Sequence, residues 1–211
     1  MTKAELEARM RELVPKIFAA DVELGRRWGI ESLPFEQVVG PPASEADIAA
    51  LERSLGRPLP PSYRTFLATY GRWEGFAGTD LLGVKDHGNP HINRRCADLS
   101  ALFDEVEVAD PLEAGAIPIG LSDGRNAILL EPPLRDDGEM DVVTYVTTEA
   151  QARHSDLLAL FEAHHADQLR LLAQPARKPR SEAVKKAPKK VVKKAPKLAV
   201  NKATLPKKTR R

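Results

Sequence analysis

The chain has 211 residues, 42% of them hydrophobic and only 5% aromatic, so it can build one core resting mainly on Leu, Val, Ile and Ala. No stretch approaches the ~20 apolar residues of a membrane helix, and the charged start "MTKAELEARMRELV" has no apolar signal core. The single cysteine, Cys96, excludes an intrachain disulfide, and together these features predict a cytoplasmic protein. The net charge of +2 hides two opposite parts. Pro175–Arg211 carries 11 Lys, 4 Arg and one acid, a net of +14, which leaves a net of −12 for residues 1–174. An acidic body and a basic tail have separate roles.

Leu6, Met10, Leu13, Ile17 and Leu24 fall mostly at steps of three and four and predict a helix-rich segment over Ala4–Trp28. Pro15 has no N–H to donate, so a kink or a second helix is expected there. Gly29 ends the segment, and a connector follows to about residue 40. Ser44 is an N-cap with Glu45 and Asp47 in the first turn, and Gly56 is a stop. Pro60 and Pro61 open the next helix, whose apolar face is Tyr63, Phe66, Leu67 and Tyr70.

Two helices around a turn suggest a DNA reader. The elbow Gly56–Pro61 is too long and too stiff for that motif, whose turn has three or four residues. The large side chains of the second helix are needed for packing, so base reading by this helix is not expected.

Beyond Gly71, "DLLGV" (Asp80–Val84), "AIPIG" (Ala116–Gly120), "NAILLE" (Asn126–Glu131) and "DVVTYVT" (Asp141–Thr147) read as strands. Asp123-Gly124 marks a hairpin turn between the second and third. Ala97–Phe103 reads as a helical turn. Ser155 caps a final helix with Leu158, Phe161, His165, Leu169 and Leu172 in one stripe, which leaves His164 in solvent. Helices, a meander of strands and a closing helix predict an α+β fold with an antiparallel sheet.

The segment "HGNPHINRRC" brings His87, His91 and Cys96 close together. Structural zinc prefers tightly paired ligands, and these gaps are irregular, so the segment reads as a polar loop without metal. No nucleophile elbow, P-loop or dinucleotide fingerprint is present. No catalytic residue, cofactor or small-molecule substrate is therefore expected. In "RWEGF", Arg72, Trp73, Glu74 and Phe76 offer the aromatic and arginine chemistry enriched at protein interfaces. The same aromatics suit a lid tucked under the sheet.

From Pro175 the chain holds an eight-residue near-repeat, "VKKAPKKV" then "VKKAPKLA". Lysine repulsion, proline and few large apolar groups predict disorder. Lys185, Lys186, Lys189, Lys190, Lys193, Lys194 and Lys197 are the candidates for non-specific phosphate contact. Loose folding of the tail back on the acidic body, or binding to acidic surfaces generally, is the alternative.

The blocks "SEADIAALERSLGRPLPPSYRTFLATYG", "AIPIGLSDGRNAILLE" and "SDLLALFEAHH" occur in the order seen in the SUKH superfamily, which this chain resembles over about residues 43–165. Members include bacterial immunity proteins of polymorphic toxin systems and a fungal regulator of cell-wall synthesis. The family often has Asn-Gly-Gly where this chain has Tyr70-Gly71-Arg72, and a second glycine where it has Arg125. The resemblance implies a non-enzymatic protein-binding domain, with neutralisation of a toxin by occlusion as the leading function. A nucleic-acid-associated accessory protein using its basic tail is the alternative. The expected organisation is a helical segment and connector over 1–40, the SUKH-like domain over 41–174 and the tail over 175–211.

Overall fold

In a computed structural model, residues 1–122 and 126–175 are described. The tail lysines and the Asp123-Gly124 turn lie outside the described residues.

Helix α1 (Lys3–Trp28) starts in a reciprocal cap: the Thr2 hydroxyl accepts the Glu5 N–H, and the Glu5 carboxylate accepts the Thr2 N–H. It runs unbroken through Pro15, so the expected division into two helices does not occur. Pro15 is exposed, and the carbonyl it deprives of a partner, that of Arg11, is on an exposed residue that water can reach. Meanwhile Met10, Leu13, Val14 and Ile17 hold both halves in one core. Gly29 closes the helix in the left-handed region, with φ 73°. A short helix α2 (Phe35–Val38) follows.

Helices α3 (Glu45–Leu55) and α4 (Pro61–Tyr70) form the elbow. Ser44 accepts the Asp47 N–H at 3.1 Å, as its cap position predicts. The Glu52 carboxylate ties the elbow together, accepting the Leu59 N–H at 3.1 Å and the Arg64 side chain at 3.3 Å. Tyr63, Phe66 and Leu67 are completely buried. Helix α4 is therefore a core element, which leaves no face free to enter a DNA groove. No side chain within the helix caps its N-terminus. Glu139 does so from the far side of the chain, accepting the Ser62 N–H at 2.8 Å and the Ser62 hydroxyl at 2.7 Å.

Six strands form one antiparallel meander in sequence order: β1 (Trp73–Phe76), β2 (Thr79–Leu81), β3 (Ile117–Leu121), β4 (Asn126–Glu131), β5 (Asp141–Val146) and β6 (Glu149–His154). The expected strands are all present, although the first is shorter than "DLLGV". Strands β1 and β6 are additional. β1 is short and contains Gly75 at φ 75°, and β6 is an edge strand whose side chains are almost all exposed. Neither presents the apolar alternation that marks a strand in sequence.

The sheet is covered on both faces. Ile117, Ile119, Ile128, Leu130 and Val142 join the core shared with α1, α4 and the closing helix α6 (Leu157–Ala173). Ala127 and Leu129 alternate to the other face, and the register shift between Pro118 and Gly120 brings Leu121 to it as well. There Ile92, Leu99 and Phe103 of α5 (Pro90–Glu105) cover them. Most of the segment read as a polar loop is thus helix, capped by Asn89, whose side chain accepts the His91 N–H at 2.9 Å. Its apolar stripe is one residue wide and is interrupted by Asn93, Arg94 and Arg95, which hid the helix.

Helix α6 is capped by Asp156, whose carboxylate accepts the Ala159 N–H at 2.7 Å, rather than by Ser155. Its buried face is Leu157, Leu158, Leu160, Phe161 and Gln168, and Leu169 points outward. It packs along α1, joined at the surface by the Arg9–Glu162 ion pair at 3.2 Å. Among the described residues, no helix is long and apolar enough to cross a membrane.

Candidate partner-binding cleft

The turn after α4 decides where its candidate residues go. Gly71 sits at φ 70°, and a Cβ there would lie 2.0 Å from the Pro41 carbonyl oxygen. Only glycine lets the two backbones come this close. The chain then dives inward. Trp73 is 2% exposed and Phe76 is fully buried, their ring centroids 5.1 Å apart. Phe161 lies 6.0 Å from Trp73 and 5.0 Å from Phe76. This corrects the reading of Trp73 and Phe76 as contact residues: they form an aromatic core under the surface. Arg72 and Glu74 remain at the surface and pair with one another. Arg72 faces a shallow hollow beside Pro41 and Asp86, while Glu74 lines a much larger depression.

That depression is a cleft of about 800 Å³ between the C-terminal halves of α1 and α6, closed at one end by the connector and at the other by the β1 turn. Its rim is apolar and open to solvent. Trp28 is 65% exposed, Ile30 60% and Leu33 57%, with Leu171 of α6 facing them. Single exposed apolar residues are ordinary, but a group of them around a concavity is not.

The floor is polar. Gln168 is buried, and its amide donates to the Ile17 carbonyl at 3.2 Å and to the Asp21 carboxylate at 2.5 Å. Burial pushes the Asp21 carboxyl above the usual range, against the lowering effect of the Gln168 hydrogen bond and of nearby His164. His164 turns inward, its ring 4.9 Å from that of Phe76, which corrects its expected place in solvent. Its Nε2 has no hydrogen-bond partner among the described residues, and burial lowers its pKa. Among the described residues the other ionisable groups lining the cleft are Glu31, Glu74 and Asp167, and no lysine or arginine lines it. Asp167 pairs with Arg170 on the outer face of α6. Among the described residues Asp21 forms no ion pair with a lysine or arginine, and His164 is the titratable base beside it.

The remaining candidates do not converge. His87 is held by the Tyr63 hydroxyl at 2.9 Å, His91 is exposed, and Cys96 is half-buried on α5. Among the described residues, no three His, Cys, Asp or Glu side chains are placed to hold a metal ion. Sequence reasoning missed Asp21, Trp28, Ile30, Leu33, Gln168 and Leu171. The one local signal was the pair Trp28 and Ile30, large apolar groups flanking the helix stop at Gly29.

A helical elbow, a six-stranded antiparallel meander and a closing helix make an α+β domain. The chain belongs to the SMI1/KNR4 family (SUKH-1), whose model matches residues 42–174. No curated protein matches the chain. The matched span supplies Glu74 and the α6 wall of the cleft. The α1 wall and the apolar rim at Trp28–Leu33 precede it.

Proposed function

We propose that the protein is a non-enzymatic binding domain that neutralises a partner protein, a toxin domain, by covering its active site or substrate groove. Membership of a family that includes toxin immunity proteins supports this reading. The observation that carries it is the open cleft with its exposed rim of Trp28, Ile30 and Leu33. Exposed tryptophan on the rim of a concavity is an effective anchor once a partner covers it, and Trp is enriched among interface hot spots. The acidic balance of residues 1–174 speeds encounter with a basic toxin surface and selects against acidic ones.

The test is co-purification of the full chain with the product of an adjacent toxin-like gene, followed by inhibition of that product's activity. A tight complex that abolishes the activity is expected. No complex with any such product, together with a gene that stays dispensable when the toxin is present, refutes the reading.

A second reading rests on the net charge of +14 in Pro175–Arg211. There the tail binds phosphates without reading sequence, so affinity falls steeply with salt. Gel shifts of the full chain and of a chain ending at Pro175, across a salt series, decide it. Equal binding by both eliminates the tail.

A further inference from the structure

We propose that the cleft between α1 and α6 receives a cationic side chain, lysine or arginine, carried on an apolar segment of the partner protein, with Asp21 as its anion and Trp28, Ile30 and Leu33 as the clamp around it. The inference rests on the protein-binding reading and specifies the chemistry that the partner must present.

Three observations converge. The first is shape. A volume of about 800 Å³ exceeds what one side chain fills, and suits a short segment with its flanking residues. The second is the sign of the lining charge. Asp21, Glu31, Glu74 and Asp167 line the cleft, and among the described residues no lysine or arginine does. Glu74 and Asp167 are already paired with Arg72 and Arg170, so Asp21 and Glu31 carry the carboxylate charge without an ion pair among the described residues, and they favour a cation over an acidic group.

The third observation is the state of Asp21. It lies at the floor, where Gln168 donates to one oxygen at 2.5 Å; His164 is its titratable neighbour, and no lysine or arginine pairs with it among the described residues. A partly buried carboxylate with a single neutral donor is held at a cost that an entering cation would remove. Gln168 is anchored at a second point. Its amide also donates to the Ile17 carbonyl, so the carboxylate is oriented before anything binds. Around it, the exposed indole of Trp28 suits the methylene stem and the charge of lysine or arginine together.

The placement of these groups has a further consequence. Asp21, Trp28, Ile30 and Leu33 all precede residue 42, where the family match begins. Selection of a cationic partner is therefore a property of this chain's N-terminal segment, laid against a wall that the family domain provides.

The probe is the capped tripeptide acetyl-Leu-Arg-Leu-amide, titrated to millimolar concentrations into the isotope-labelled full chain and followed by amide and indole NMR shifts. The comparison peptide carries Glu in place of Arg. Saturable shifts at Gly75, Gly78, Leu171 and the Trp28 indole are expected with the arginine peptide alone. Asp21→Asn keeps the size of the side chain and an oxygen for Gln168, and is expected to weaken binding about fivefold. Equal shifts with both peptides, or undiminished binding by Asp21→Asn, overturn the proposal, as does the absence of shifts at the cleft. If Asp21→Asn disturbs folding, the two-peptide comparison on the unaltered chain still decides. Peptide binding without any protein partner would refute the immunity reading and leave the cleft chemistry standing. A toxin complex insensitive to Asp21→Asn would do the reverse.

Discussion

Replacing His87 with glutamine changes how the stability of the protein depends on pH. The Tyr63 hydroxyl donates its only proton to the Leu82 carbonyl at 2.7 Å, so the neighbouring His87 Nε2, 2.9 Å away, carries a proton and donates to the Tyr63 oxygen. Burial lowers the His87 pKa to about 4, against the opposing charge of Asp86. In the unfolded chain the same imidazole titrates near ~6.5. Its folded value is depressed, so its contribution is fully present above about pH 6.5 and is lost as pH falls toward 4. A shift of this size corresponds to at most about 3 kcal/mol between those limits, a large part of the ~5–15 kcal/mol that holds a domain folded.

Urea denaturation followed by the fluorescence of buried Trp73, repeated from pH 7.5 to 4.5, measures it. Wild type is expected to lose more stability on acidification than His87→Gln, the gap closing by about 2–3 kcal/mol. His154 and His164 are shifted in the same direction, and the raised carboxyls of Asp21 and Glu139 act in the opposite one. All four remain in both proteins and cancel in the difference. Parallel stability curves for the two proteins would refute the assignment.

Gly71→Ala forces a Cβ against the Pro41 backbone at positive φ, and a loss above about 2 kcal/mol is expected in thermal denaturation. An unchanged midpoint would mean that the corner is not this tight. Glu139→Ala removes both hydrogen bonds that cap α4 through Ser62, and about 2–3 kcal/mol should disappear from urea unfolding. A loss below ~0.5 kcal/mol would show that water replaces the cap. Trp28→Ala alters an exposed side chain, so stability is expected to change by less than about 0.5 kcal/mol. Binding of the protein partner, read by calorimetry, should weaken by about 2 kcal/mol or more, and unchanged affinity would remove Trp28 from the interface.

Much of the fold was legible from local chemistry. Ser44 and Gly56 bound α3 because capping is decided within one turn of chain, and the Val- and Ile-rich run at Asp141–Val146 marks β5 for the same reason. The elbow was legible too, since Pro60 and Pro61 restrict the backbone wherever they stand. Strand β6 was not, because an exposed edge strand has no buried face to impose alternation. The run around Arg94 and Arg95 hid α5, because its apolar stripe needs to cover only one side of the sheet.

What sequence alone determined about this protein is therefore most of its segment types, its division of charge and its family resemblance. Tertiary structure decided which side of each segment meets water. Trp73 and Phe76 carry the chemistry of an interface, yet Phe161, some 85 residues later, claims them for the core. Trp28 looks like the end of a buried helix face, yet nothing among the described residues covers it. The cleft exists because α1 and α6 lie side by side, bringing Asp21 to Gln168 across 147 residues of chain. Periodicity reports that a helix has an apolar face. Only the long-range contact between two helices settles which residues it closes over and which remain open to a partner.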